Sequence, residues 1–214
     1  MAPLALGRDF AFRSQTAELR PAGVVEIDAT FGGLPQGCLT EICGPASSGR
    51  TSLMLAAMAA AGGRGDVCAL VDASDALDLA SAAAVGVHLD RLLWVRCGGN
   101  AEHALKAADL LVQGGGFGLV VMDLADIPIA AARRISLTSW FRLRRAVEHT
   151  PTALLVIGRQ PLAKTCASLV LELRRERADW SGVPGCSRLL RGIRVRTARC
   201  KPVPARTASF ESRW

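Results

Sequence analysis

The chain has 214 residues, 50% of them hydrophobic, and a formal net charge of +7. This size is enough for one domain with a substantial core. Its apolar runs are shorter than the roughly 20 residues of a membrane span, and its first residues are too weakly apolar for a secretory signal. We therefore expect a cytoplasmic protein without a membrane segment.

The seven cysteines show neither C-x-x-C spacing nor a His at the distance typical of zinc sites. Several of them, such as Cys43 and Cys68, lie in apolar runs typical of strands. This placement favours buried, reduced thiols over disulfides or metal ligands, which also fits the cytoplasm.

The positive charge is concentrated near one end of the chain. Residues 1–173 carry 15 Lys and Arg against 16 Asp and Glu, whereas residues 174–214 carry 11 against 3. An arginine-rich segment of this kind indicates a nucleic acid or an acidic protein surface as a partner. A solvated tail without a partner is the alternative interpretation.

Apolar runs bounded by turn residues alternate with segments of helical periodicity along most of the chain. Runs of Val, Ala, Leu and Ile without polar alternation are typical of strands buried on both faces. We predict strands over 38–44, 67–72, 92–96, 118–123, 153–158 and 168–174. We predict helices over 51–63, 76–86, 100–113 and 136–149. This alternation predicts an α/β fold with a mainly parallel sheet flanked by helices.

We divide the chain into a lead-in over residues 1–22, a core domain over 23–175 and a basic, arginine-rich extension over 176–214. Within the extension, residues 189–197 alternate arginine with apolar residues, which predicts a final strand at the edge of the sheet. The residues after Lys201 have the composition of a tail. We expect the core to fold without the extension.

The stretch GPASSGRTS, between a predicted strand and a predicted helix, has the spacing of a phosphate-binding loop, G-x-x-x-x-G-K-[ST]. In such loops, backbone N–H groups at the start of the helix converge on an anion. The candidate nucleotide-binding residues of this loop are Gly44, Pro45, Ala46, Ser47, Ser48, Gly49, Arg50, Thr51 and Ser52. A tight turn that binds nothing is the alternative.

Two residues are candidate Mg²⁺ ligands, should a nucleotide bind. Thr51 supplies the hydroxyl of the loop, and Asp123 ends the apolar run GLVVMD. Arg50 stands where the motif has lysine, and its guanidinium is longer, planar and forked, so it places its charge differently. Slow or absent hydrolysis is the natural expectation.

The span from Gly32 to Asp123 resembles the nucleotide-binding core of the bacterial RecA recombinase. The resemblance rests on the GGLP-x-G lead-in, the GP-x-SSG loop, the run D-A-x-x-A-L-D that ends at Asp78, and VGVHLDRLLW over 85–94. It implies a P-loop NTPase fold with ATP and Mg²⁺ as ligands, and adds Asp78 to the nucleotide site. Gln160, in VIGRQ, resembles the glutamine that senses the γ-phosphate.

The chain also departs from the RecA pattern. Ser74 replaces the glutamate that activates the attacking water, and a serine is not a general base at neutral pH. Asp75 is adjacent and is the alternative source of a carboxylate, but it is not favoured, because neighbouring side chains point in different directions in strand or turn geometry. By comparison with the RecA pattern, we expect the second DNA-binding loop after Gln160 to be essentially deleted and the arginine-rich segment to stand in place of the carboxy-terminal domain. Phosphoryl transfer depends mainly on positioning of the attacking water and on stabilisation of charge. Because Ser74 and Arg50 replace the residues for these two tasks, we assign no catalytic residue.

A shortened RecA-like core with altered catalytic positions resembles the ImuA-type proteins, to which the SulA cell-division inhibitors are related. This resemblance implies an accessory role in the SOS and translesion-synthesis response to DNA damage. The implied partners are a RecA-like recombinase, a Y-family-like polymerase homologue and an error-prone polymerase. The alternative function is an active DNA-dependent ATPase and recombinase.

Residues 133–149 form a second basic segment, with five arginines around Trp140 and Phe141. On a helix, Leu137, Trp140 and Phe141 share one side and are predicted to face the sheet. The segment is either a DNA or partner surface, or an amphipathic helix with a solvated basic side. The candidate surface for DNA or a protein comprises Arg133, Arg134, Arg142, Arg145, Arg191, Arg194, Arg196 and Arg199.

Overall fold

The computed structural model of the chain describes residues 17–181, 190–201 and 206–213. Its strands are β1 (Leu19–Arg20), β2 (Leu34–Pro35), β3 (Leu39–Cys43), β4 (Cys68–Asp72), β5 (Leu92–Arg96), β6 (Leu119–Asp123), β7 (Ala153–Gly158), β8 (Leu169–Trp180), β9 (Leu190–Lys201) and β10 (Arg206–Arg213). Its α-helices are α1 (Val25–Phe31), α2 (Arg50–Gly63), α3 (Leu79–Ala84), α4 (Ala101–Gly114), α5 (Ile129–Arg133) and α6 (Leu137–Val147). Short 3₁₀ helices lie at Leu89–Arg91 and Lys164–Cys166.

The main sheet has the strand order β10-β9-β8-β3-β7-β6-β4-β5. From β8 to β5 every neighbouring pair is parallel, whereas β9 and β10 are added antiparallel. The predicted α/β fold with a mainly parallel sheet flanked by helices is therefore confirmed. Strands β1 and β2 form a separate small ladder. Of the predicted lead-in over residues 1–22, residues 1–16 lie outside the described part of the chain.

Hydrophobic side chains cover both faces of the sheet. On one face, residues of α1 and α2 such as Phe31 and Met58 pack against the strands. On the other face, α4 and α6 contribute residues such as Ala108 and Trp140. Strand β3 is buried along its whole length, as expected of a strand covered on both sides. The carboxyl ends of β3, β4, β6 and β7 meet at one edge, which is where open α/β sheets bind ligands.

The end of the chain differs from the prediction. Strand β8 continues to Trp180, across the boundary drawn between core and extension. Strand β9 lies between β8 and β10, so the prediction of an edge strand over 189–197 is wrong. The predicted tail after Lys201 is wrong for residues 206–213, which form β10. Residues 202–205 and Trp214 of that tail lie outside the described part.

The composition of β9 and β10 did not indicate their place in the sheet, because each of these strands buries only one face. On β9, Ile193 and Val195 alternate with exposed arginines, and on β10 Phe210 is 3% exposed. These side chains join the same core cluster as α1 and α2, and α1 contacts β10. The sheet and the core thus continue into β9 and β10, which argues against a core that folds without them.

Candidate nucleotide-binding site

The phosphate-binding motif forms the predicted strand, loop and helix. Strand β3 ends at Cys43, and α2 begins at Arg50. Gly49 has φ = 90°, in the left-handed region, and a Cβ there would lie 2.6 Å from Cγ2 of Val195. Only glycine satisfies both conditions. The loop therefore rests on β9, a strand that the sequence placed at the sheet edge.

The loop has a packed side and an open side. A Cβ on Gly44 would lie 2.3 Å from the carbonyl oxygen of Leu173, so the loop also lies close to β8. Ser48 is 1% exposed, and its hydroxyl has no hydrogen-bond partner among the described residues. In contrast, Pro45, Ala46, Ser47 and Thr51 are exposed. The exposed residues of the loop lie next to the start of α2, the helix end whose N–H groups favour an anion.

Arg50 is directed into the protein. The residue is 6% exposed, and its Nη1 donates a hydrogen bond of 2.9 Å to the carbonyl oxygen of Gly158, the last residue of β7. Burial lowers the pKa of Arg50, while the charges of Asp123 and Asp126 act in the opposite direction. The hydrogen bond to Gly158 thus holds the guanidinium at the carboxyl edge of the sheet.

Asp123 lies at the same edge, where it ends β6. Its Cα is in register with Asp72 on β4 and Ile157 on β7. Its Oδ1 accepts a hydrogen bond of 2.9 Å from the N–H of Ala125. Burial raises the pKa of Asp123 to about 6, and neighbouring carboxylates add to this, while the Arg50 guanidinium opposes it. The predicted Mg²⁺ ligand therefore shares its surroundings with a cation of the protein.

The residue at the position of the catalytic glutamate belongs to a turn organised by Asp72. This buried carboxylate accepts hydrogen bonds from the N–H of Ser74 (3.2 Å), the N–H of Leu77 (2.9 Å) and the indole of Trp94 (3.2 Å). Ser74 closely follows β4 and is half-buried. The turn is present, but its side chain at position 74 carries a hydroxyl and no carboxylate.

Asp75 does not replace that carboxylate. It adopts φ = 58°, and its Oδ1 accepts hydrogen bonds from the N–H groups of Cys97 (3.0 Å) and Gly98 (3.3 Å). Its Oδ2 lies 3.3 Å from Nη2 of Arg96. Both carboxylate oxygens of Asp75 are therefore engaged at the end of β5. This agrees with the expectation that Asp75 does not take the place of the glutamate.

Asp78 and Gln160 each have a partner of their own. Asp78 is the N-cap of α3: its Oδ2 accepts a hydrogen bond of 2.8 Å from the N–H of Ser81, and hydrogen bonds from Ser81 lower its pKa. Gln160 Oε1 accepts a hydrogen bond of 3.0 Å from Nη2 of Arg133. Arg133 was predicted only as a surface residue, yet this bond ties α5 to the glutamine at the carboxyl edge.

Sequence reasoning missed Glu41, which lies inside β3 and is 2% exposed. Its Oε1 accepts hydrogen bonds from the N–H groups of Leu162 (2.6 Å) and Ala163 (2.9 Å), while Oε2 has no partner among the described residues. Burial raises the pKa of Glu41. A single carboxylate in the apolar run LTEIC was the available signal. Glu41 holds the segment that follows Gln160 against the strand that leads into the loop.

The candidate surface arginines lie in two groups. Arg133, Arg134, Arg142 and Arg145 are exposed along α5, α6 and the residues between them, and the other four lie on β9. The prediction that one side of α6 faces the sheet is confirmed for Trp140, which is 2% exposed. It is wrong for Leu137 (41% exposed) and Phe141 (47% exposed), because Leu143 and Val147 complete the buried face instead.

The sequence profile of the RecA N-terminal domain matches residues 5–132. This chain belongs to the RecA family. Protein RecA of Cutibacterium acnes is 46% identical over 105 residues, which cover 48% of this chain and 30% of that protein. Protein RecA of Methylococcus capsulatus is 47% identical over 105 residues, with the same shares of each chain. Protein RecA of Leifsonia xyli subsp. xyli is 34% identical over 157 residues, or 66% of this chain and 44% of that protein.

The chain thus spans less than half the length of these RecA proteins. The match includes the loop, the turn after β4 and Asp123, whereas Gly158 and Gln160 lie beyond it. Within the described ranges, no helix is both long and apolar enough to cross a membrane.

Proposed function

We propose that this protein is a RecA-like DNA-repair protein that binds a nucleotide and hydrolyses it slowly or not at all. The observation that carries this proposal is the arrangement around the loop. Arg50 is bonded to Gly158, Ser74 occupies the position of the catalytic carboxylate, and both oxygens of Asp75 are engaged elsewhere. The loop keeps the shape that binds phosphate, while the groups for water activation and charge stabilisation are missing.

ATP hydrolysis measured with and without single-stranded DNA tests this proposal. We expect turnover far below that of a working recombinase, with no stimulation by DNA. Rapid turnover that is lost in Thr51→Ala would support the alternative, an active DNA-dependent ATPase. The double variant Arg50→Lys/Ser74→Glu restores the two residues of the RecA pattern. A gain of turnover in this variant would show that the fold supports hydrolysis and that only these two groups are missing. Arg50→Lys/Ser74→Gln is its matched control, because glutamine has the size of glutamate without its basicity.

For the biological role, we propose an accessory function in the SOS and translesion-synthesis response, performed in the cytoplasm through protein partners. The resemblance to ImuA-type proteins supports a RecA-like recombinase, a Y-family-like polymerase homologue or an error-prone polymerase as partner. Affinity capture from DNA-damaged and undamaged cells, followed by identification of the bound proteins, tests this role. Capture of the same proteins from both cell samples, without any polymerase or recombinase, would contradict it.

Direct DNA binding is a second candidate, supported by the exposed arginines of β9. The structure also limits this candidate, because acidic residues lie beside two of these arginines. Arg194 contacts Glu211 at 2.8 Å, and Arg196 lies 3.9 Å from Glu176. DNA affinity measured at several salt concentrations tests direct DNA binding. Replacing one arginine that neutralises a phosphate should reduce the slope of log affinity against log salt concentration by about one unit. We expect Arg191→Ala/Arg196→Ala to reduce the slope, and Arg91→Ala, at a distant exposed arginine, to leave it unchanged.

A further inference from the structure

Helix α6 has an outer face that the nucleotide site does not use. Its inner face is formed by Trp140, Leu143 and Val147, which are buried in the core cluster shared with α4. The outer face carries Leu137, which is 41% exposed, and Phe141, which is 47% exposed. Residues four apart on a helix are neighbours, with about 5–6 Å between their Cβ atoms. Two large apolar side chains therefore lie side by side at the surface of the described part of the chain.

Arginines flank this apolar pair, and two of them are unpaired. Arg134 is exposed in the turn before α6, and Arg145 is exposed one helical turn after Phe141. Within the described residues, neither of these two arginine side chains has an ion pair or a hydrogen bond. In contrast, Arg142 contacts Asp109 at 3.2 Å. The outer face of α6 thus combines an apolar centre with free positive charge on both sides.

Folding of the chain does not account for this combination. Apolar side chains that stay in water contribute little to stability, and neighbouring exposed apolar residues with a polar rim mark interaction sites. Aromatic residues and arginine are also the types enriched in protein interfaces. The arginines of β9 are a weaker candidate, because Arg194 is paired with Glu211 at 2.8 Å. The outer face of α6 is therefore the better place for a partner to bind.

The partner that fits this face is an acidic protein segment with apolar residues of its own. Its carboxylates would pair with Arg134 and Arg145, since a guanidinium binds a carboxylate through two parallel hydrogen bonds. Its apolar side chains would cover Leu137 and Phe141. The chain itself does not supply such a segment, because its residues outside the described ranges include a single acidic one, Asp9. A second copy would bring the same basic face, which like charges oppose.

A single-stranded nucleic acid fits this face less well. Sites for single strands combine a basic track along the backbone with aromatic side chains on which successive bases stack. Leu137 has no aromatic plane for stacking. Arg133, at the end of α5, already donates a hydrogen bond to Gln160. The two unpaired arginines make a short track, so the charges and the apolar pair together favour a protein.

We propose that the outer face of α6, with Leu137 and Phe141 at its centre and Arg134 and Arg145 beside them, is a docking surface for an acidic amphipathic segment of another protein. This inference rests on the proposed role through protein partners, and it adds the surface and the chemistry of the partner. The apolar pair supplies most of the affinity, while the arginines steer association and select against basic segments.

Site-specific photo-cross-linking in cells, with and without DNA damage, tests this surface. The full chain carries the photoreactive amino acid benzoylphenylalanine in place of Phe141, and mass spectrometry identifies the cross-linked segment. We expect a protein segment rich in Asp and Glu that also contains apolar residues. Leu79, 44% exposed at the start of α3, is the control position. Helix α3 packs on the opposite face of the sheet, where its Ala82 joins the core cluster of α1 and α2.

A fluorescent peptide with the sequence of the cross-linked segment then measures each contribution to binding. We expect Phe141→Ala to weaken the affinity by about 10- to 30-fold and Leu137→Ala by about 5-fold, as for central residues of an interface. Arg134→Ala/Arg145→Ala should slow association and reduce its dependence on salt concentration. Leu79→Ala is the matched control and should leave the affinity unchanged. These side chains are exposed, so we expect all variants to fold normally, which circular dichroism checks.

Each outcome decides the inference. A cross-link to nucleic acid, to a segment without acidic residues or to nothing at all would overturn it, as would the same segment captured from the control position. Peptide binding that Phe141→Ala leaves unchanged would also overturn it. Efficient capture of a recombinase or polymerase by Leu137→Ala/Phe141→Ala would overturn this inference and leave the proposed role standing. An acidic segment from a protein outside DNA repair would support this inference and contradict the proposed role.

Discussion

Ser212 on β10 and Ser52 in the first turn of α2 are joined by a hydrogen bond, with their hydroxyl oxygens 3.0 Å apart. The last described strand of the chain therefore touches the helix that begins at the phosphate-binding loop. Val195 of β9 adds a second contact, against Gly49. The antiparallel strands β9 and β10 are thus part of the support of the nucleotide site.

Phe210→Ala tests whether β10 stabilises the whole domain. Phe210 is 3% exposed and belongs to the core cluster that includes α1 and α2. We expect a loss of about 3–5 kcal/mol in the free energy of unfolding, the range for a buried phenylalanine replaced by alanine. Denaturant unfolding measures it. Ser209→Ala, at the adjacent exposed position, is the control, and equal small effects of both substitutions would mean that β10 is dispensable.

Gly49→Ala should weaken both folding and nucleotide binding. At φ = 90° an alanine is strained, and its Cβ would lie 2.6 Å from Cγ2 of Val195. We expect a destabilisation of about 1–3 kcal/mol, together with weaker binding of a fluorescent ADP analogue. Gly63→Ala is the matched control in the last turn of α2, where a Cβ meets nothing within 4 Å. That substitution should stabilise by about 0.4–1 kcal/mol, because it restricts the unfolded chain.

Glu41 should matter as an acceptor of hydrogen bonds more than as a charge. Glu41→Ala leaves the N–H groups of Leu162 and Ala163 without their acceptor, which costs about 1–3 kcal/mol for each buried group, less the relief from removing a buried carboxylate. Glu41→Gln keeps an acceptor oxygen, so we expect a change within about 1 kcal/mol. Thermal unfolding of both variants separates these cases. If Glu41→Gln is as damaging as Glu41→Ala, the negative charge itself is required.

Asp123 should make stability depend on pH. Its pKa is raised from 3.8 to about 6, chiefly by burial, so the folded protein holds this proton more tightly than the unfolded chain. The protonated Asp123 therefore stabilises the folded state. This contribution is complete below the pKa that Asp123 has in the unfolded chain and is lost as pH rises through about 6, a difference of up to roughly 3 kcal/mol in the free energy of unfolding. Asp123→Asn should therefore raise stability above this pH more than below about pH 4. Urea unfolding at both pH values measures the difference, with exposed Asp90→Asn as control.

The elements around the loop could be predicted from sequence because their signals are local. A strand followed by GPASSGRTS and a helix is a continuous pattern, and the apolar run before Asp123 marks a buried strand. The orientation of Arg50 could not be predicted, because its partner Gly158 lies 108 residues further along the chain. The contacts of Glu41 and of Val195 could not be predicted either, because their partners are also distant in sequence. Strand β10 was missed because Phe210 is its single large apolar residue and neighbouring side chains are polar.

The hydrogen bond from the indole of Trp94 to Asp72 gives the protein an optical reporter of its own. Trp94 lies on β5, the last strand on one side of the sheet, with its ring centroid 5.2 Å from the guanidinium carbon of Arg96. The fluorescence emission of an indole depends on nearby charges and on the hydrogen bond that its N–H donates. A ligand that rearranges the turn after β4 would therefore shift the emission wavelength of Trp94. Trp140 is a buried residue of α6, and Trp180 ends β8. A chain with Trp180 and Trp214 replaced by phenylalanine would report ligand binding without any attached dye.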